Sequence, residues 1–94
     1  MNTTTNTADT GLGRCLVVAD RGHVWTAESV SFDADWAHLT NAQAVRRWGT
    51  TEGLNELAQK GPLANTRLDA KADLMVSRKA LIAVIPSEAD KWPA

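Results

Sequence analysis

Short apolar runs and one stretch of strict apolar/polar alternation, each bounded by turn residues, give much of this chain the pattern of β-strands. Arg14 to Ala19 contains the apolar run CLVVA, bounded by Gly13 and by Asp20-Arg21-Gly22, which predicts a buried strand followed by a tight turn. From His23 to Phe32, Val24, Thr26, Glu28, Val30 and Phe32 fall on one face and Trp25, Ala27, Ser29 and Ser31 on the other. The two runs together predict a hairpin. Glu28 interrupts its face, which implies that the sheet meets solvent or an interface there.

Asp33-Ala34-Asp35 reads as a turn, Trp36 to Leu39 as a third strand, and Thr40-Asn41 as a turn or a bulge. Ala42 to Trp48 fits two patterns. Ala42, Val45 and Trp48 would share a helix face, yet Val45 to Trp48 also reads as a short strand. The strand is favoured because Gly49 follows and β neighbours surround it. A helical period is clear at Leu54, Leu57 and Ala58, which predicts a helix from Thr51 to Lys60. Thr50 or Thr51 would cap it, Glu56 and Lys60 would pair on its outer face, and Gly61-Pro62 would end it.

Beyond a loop, Leu74-Met75-Val76 and Ala80 to Ile85 predict two closing strands. LIAVI is apolar on both faces, which predicts a central place in the sheet. Ser87 to Ala94 is polar apart from Trp92. Met1 to Gly13 holds almost nothing to bury and predicts a mobile tail ahead of one compact domain over residues 14–94. The expected fold is therefore mainly β (a β-rich α+β): a small, strongly curved sheet or SH3-like barrel with one short helix. A small α+β sheet with one covering helix is the alternative.

Composition narrows the function classes. Ninety-four residues allow one domain and one core. Ten Lys and Arg against 11 Asp and Glu exclude a general nucleic-acid-coating protein, which would carry a basic excess. The charge is uneven, however, and residues 43–60 carry Arg46, Arg47 and Lys60 against Glu52 and Glu56. Cys15 is the one cysteine, so no intrachain disulfide can form, and its apolar run implies a buried, inert thiol. The longest apolar run, Ala80 to Pro86, is too short to span a bilayer. These features predict a soluble, cytoplasmic protein without membrane association.

The candidate chemistry lies in VRRWGTTEGLNELAQKGPLANTRLD, from Val45 to Asp69. A guanidinium, an aromatic plane and a helix N-terminus together suit an anionic, ring-bearing ligand such as a nucleotide. On a strand Arg46 and Trp48 would share a face, with Arg47 on the other. At the Thr50/Thr51 helix start the N–H groups of Thr51, Glu52 and Gly53 would meet a phosphate, opposed by the carboxylate of Glu52. Arg67 would add a second phosphate contact, oriented by Asp69, although a surface ion pair is the simpler reading of those two. Trp25, Trp36 and Trp48 first suggest core or interface anchors. His23 and His38 have no cysteine or carboxylate at metal-ligand spacing, and Asp33/Asp35 has ordinary turn spacing. No phosphate loop, nucleophile elbow or HExxH occurs, so the sequence implies neither a reaction nor a cofactor.

Arg46-Arg47-Trp48-Gly49-Thr50-Thr51, followed by Gly53-Leu54, Leu57-Ala58, Gly61-Pro62, Thr66 and Leu68-Asp69, resembles a family of small proteins encoded by bacteriophages and prophages. Arg21 to Val24 and Ala80 to Ile85 extend the resemblance. It implies phage origin and action in the host cytoplasm, but no reaction and no binding residues. Phages carry proteins of this size that hold nucleotide immune messengers without degrading them. The expected function is therefore a non-catalytic anti-defence sponge for a small anionic ligand, built as a homo-oligomer. The alternative is a module that docks the same Arg/Trp patch on nucleic acid or on a host or phage protein.

Overall fold

The structure, a computed structural model, describes residues 12–92. The expected tail lies outside the described residues except at its last two positions, where Leu12 and Val30 exchange backbone hydrogen bonds of 2.8 and 3.0 Å. Seven strands form one curled sheet, half of a barrel: β1 (Cys15–Ala19), β2 (His23–Ala27), β3 (Ser29–Phe32), β4 (Trp36–Arg47), β5 (Arg67–Leu68), β6 (Ala72–Ser77) and β7 (Leu81–Pro86). The order is β3-β4-β2-β1-β7, with β5 and β6 also paired to β4, and every pairing is antiparallel. One helix, α1 (Leu54–Lys60), covers part of the outer face.

β4 makes the curl. Its first half pairs with β3 from Ser29↔Thr40 to Phe32↔Ala37 and with β6 from Trp36↔Ser77 to Leu39↔Leu74. Its second half pairs instead with β2, at Trp25↔Ala44 and Thr26↔Gln43, and with β5. The change of partners falls at Thr40-Asn41, where the register against β6 shifts and Asn41 takes φ 48°. A bulge at this point bends the strand and increases its twist. Of the two readings of Thr40-Asn41 the bulge therefore holds, and Trp36 to Arg47 is a single strand of 12 residues.

The same change explains Glu28. The run from His23 to Phe32 is two strands, β2 and β3, and exposed Glu28 sits between them with its N–H on Thr40 O at 2.9 Å. Its carboxylate accepts the Asn41 side-chain amide at 2.6 Å, while Asn41 N–H donates to Asp73 at 2.8 Å.

Two apolar layers result. The inner one holds Cys15, Val17, Ala19, Ala27, Val30, Ala37, Leu39, Ala42 and Val76, so the concave face closes on itself. The outer one places Leu57 and Ala58 of α1 against Leu16 and Trp92, flanked by Val45, Leu68 and Ile85. Leu57 is fully buried, worth about 1.5–3 kcal/mol of transfer free energy.

Two expectations are corrected. The helix starts at Leu54 rather than Thr51, because Gly53 takes φ 86° and ψ −161°, and no side chain caps it. β7 is the terminal strand of the sheet rather than a central one. It is apolar on both faces because Leu81 and Val84 pack on the inner layer while Ile85 packs on the outer one.

Candidate functional site

The loops that follow β4 are fixed against each other. Gly49 has φ 67°, and a Cβ there would lie 2.4 Å from the carbonyl carbon of Asn65, so the two backbones touch where only glycine fits. The Thr66 hydroxyl donates to Trp48 O at 2.7 Å and accepts Leu63 N–H at 2.9 Å. The ring of Trp48 is left 42% exposed at the end of the strand.

Arg46 is the extra residue of a second bulge: Val45 pairs with Leu68 and Arg47 with Arg67, with the register shifting between them. Simple alternation therefore does not place Arg46 and Trp48 together, because the bulge interrupts it. Arg46 Nε instead donates to Asp69 Oδ1 at 2.5 Å. Asp69 is itself anchored to β4, its N–H on Ala44 O and its carbonyl accepting the Gln43 side chain, both at 2.9 Å. Asp69 thus orients Arg46, not Arg67 as expected.

Arg47 and Arg67 face each other directly across the ladder, both exposed. Among the described residues neither guanidinium has a hydrogen bond or an ion pair. Arg67 and Asp69 flank Leu68, which packs under α1, so alternation turns both toward the opposite face of the sheet. Like charges directly opposed across antiparallel strands repel. The cluster of Arg46, Arg47 and Arg67 around Asp69 keeps two uncompensated positive charges.

The helix start does not supply phosphate-binding amides in the expected way. Thr50, Thr51 and Gly53 lie in the loop ahead of α1, and the N–H groups of Thr51 and Glu52 already donate to Glu56 Oε1, at 2.9 and 3.1 Å. Glu56 also accepts from Lys60 at 3.1 Å. The Glu52 amide, then Lys60, then the Thr51 amide hold its carboxyl below the ordinary glutamate range. A phosphate approaching these amides would meet that carboxylate, so the opposing charge comes from Glu56 rather than Glu52.

A second cluster was not visible in the sequence. A depression of about 370 Å³ lies between the β3–β4 and β6–β7 turns, lined by Ala34, Asp35, Trp36, Ser77, Arg78 and Lys79. Arg78 is stitched into the fold: its guanidinium donates to Asp33 O at 2.8 Å and lies 5.5 Å from the Phe32 ring centroid. The pairing Trp36↔Ser77 and the Arg78 N–H on Asp35 O at 3.0 Å bring these distant segments together, and no local motif announces it.

The remaining candidates are structural. Asp33 Oδ1 accepts the N–H groups of Asp35 and Trp36, at 2.8 and 2.7 Å, and Oδ2 accepts from His38 Nε2 at 2.7 Å. The His38 contact first, then the two amides, lower the Asp33 pKa to about 2. Burial pushes the Cys15 thiol up to about 11, which makes it a poor nucleophile. Among the described residues no three His, Cys, Asp or Glu converge to hold a metal ion. No helix there is long and apolar enough to cross a membrane.

The fold and this surface define a small, curled-sheet β protein with an open cationic face at the end of its longest strand. The chain belongs to the family described as Domain of unknown function (DUF6948), whose match runs over residues 13–93. No curated protein and no solved structure matches it.

Proposed function

We propose that this is a phage protein that binds and sequesters a small anionic ligand in the host cytoplasm, without catalysis. The ligand class that fits best is a nucleotide immune messenger. The observation that carries the reading is the Arg47–Arg67 pair: two exposed guanidinium groups in direct register, with no carboxylate among the described residues paired to either. An anion between them turns repulsion into two charge-assisted contacts. Trp48, next in sequence and 42% exposed, offers the ring on which a base would stack. Arg46 contributes less, since Asp69 already engages it.

A second reading is favoured by the openness of the face. Arg47 and Arg67 lie on an exposed strand pair, a geometry that also suits the phosphate backbone of a nucleic acid or an acidic protein surface. Salt separates the two. Two phosphate contacts on duplex DNA give a log–log salt slope of roughly −2, whereas a nucleotide carrying fewer condensed counterions responds less.

The direct test is to purify the protein from phage-infected cells, denature it and identify any released small molecule by mass spectrometry. A stoichiometric nucleotide supports sequestration. Release of none, together with steeply salt-dependent binding to DNA or RNA, would transfer the site to the second reading.

A further inference from the structure

We propose that β7 is a self-association edge, which pairs antiparallel with β7 of a second copy of this chain. β7 ends the sheet, and among the described residues β1 alone pairs with it. No charge occurs from Ala80 to Ser87, and Ile82, at the bulge between β1 and β7, is 67% exposed, the most exposed large hydrophobic residue of the described chain. An unpaired apolar edge of this kind is a template for another strand.

The backbone gives the register. Ser87 N–H donates to Arg14 O across the β1 pairing at 2.9 Å. Alternation then turns Ile85 and Ala83 toward β1, and Val84 and Pro86 outward. Val84 offers both N–H and C=O, while Pro86 offers a carbonyl alone. A two-fold axis at Val84 lets the two copies exchange both Val84 hydrogen bonds, and the missing donor at Pro86 falls beyond that central pair.

Charge selects the direction. Arg78 and Lys79 precede the strand, a charge of +2, and Glu88, Asp90 and Lys91 follow it, a net charge of −1. Antiparallel pairing about Val84 brings the turn that carries Lys79 in one copy to the segment that carries Glu88 and Asp90 in the other, at both ends of the interface. Parallel pairing would oppose like charges. Among the described residues the side chains of Lys79, Glu88 and Asp90 have no hydrogen bond or ion pair, so they are available for this role. Because the contact is isologous, pairing consumes the edge and stops at a dimer. It involves none of Arg46, Arg47 or Arg67 and stands independently of the ligand reading.

Light scattering and sedimentation of the full chain test the proposal, with circular dichroism checking that each variant folds. The expected species has twice the 10.1 kDa chain mass. Lys79→Glu and Glu88→Lys should each raise the dimer dissociation constant roughly tenfold, because the axis counts each rim pair twice. The double variant Lys79→Glu/Glu88→Lys, which restores opposite charges only across an antiparallel two-fold, should recover most of the affinity. The Val84 amide should exchange more slowly at high than at low protein concentration. A chain that stays monomeric, a dimer indifferent to the single reversals, or a double variant no better than either single would overturn the assignment.

Discussion

Two guanidinium groups opposed across an antiparallel ladder repel each other, which sets Arg47 and Arg67 apart from Arg46, whose charge Asp69 engages. The distinction was not legible in the sequence. Alternation over Arg46-Arg47-Trp48 selects Arg46, and the bulge that hands Arg46 to Asp69 leaves no signature in the residues themselves. The residues around Gly49 show that a strand ends there, but the contact of Gly49 with the Asn65 backbone depends on a loop sixteen positions away. Gly49→Ala should therefore destabilise the fold by about 2 kcal/mol or more, read as a fall in Tm, since positive φ and a steric clash add. An unchanged Tm would show that the two loops move apart freely. Asp33 yields a pH prediction. Its folded-state pKa of about 2 lies below the ordinary 3.8, so its contribution to stability is complete above about pH 4 and is lost as pH falls toward 2. Asp33→Asn should flatten the acid limb of a stability–pH curve in that window. Parallel acid limbs for the variant and the parent would show that another group governs it.

At the scale of elements, α1 depends on burial more than on capping. Leu57 is fully buried in the outer apolar layer, whereas the helix has only seven residues and a glycine N-cap. Leu57→Asp would bury an unpaired carboxylate against Leu16 and Trp92 and should unfold the domain, seen as loss of the cooperative thermal transition. A retained transition would mean that the helix is not held by that layer. Glu56→Ala should lower Tm more modestly by freeing the Thr51 and Glu52 amides, and it also removes the carboxylate that guards them. The strands and the helix stripe were legible because their periods are local. The continuity of β4 and the terminal position of β7 were not, because both depend on partners distant in sequence. Two apolar faces on LIAVI signal cover on both sides, and here that cover comes from the two layers rather than from flanking strands.

For the molecule as a whole, one long strand organises both the fold and the candidate site. β4 carries the curl at Asn41 and the bulge at Arg46, and its end brings the arginines of two strands into register. The cationic face lies away from α1, so losing its charges should leave the apolar layers intact. Calorimetric titration with cyclic dinucleotides and ADP-ribose-type messengers tests the central claim most directly, using Arg46→Ala, Arg47→Ala and Arg67→Ala beside the parent protein. A lost charge-assisted contact costs about 1.5–3 kcal/mol, so Arg47→Ala and Arg67→Ala should each weaken binding roughly ten- to a hundredfold with Tm unchanged. Arg46→Ala should cost less, because Asp69 already holds that side chain. Tight binding by the parent that survives both Arg47→Ala and Arg67→Ala would contradict the account.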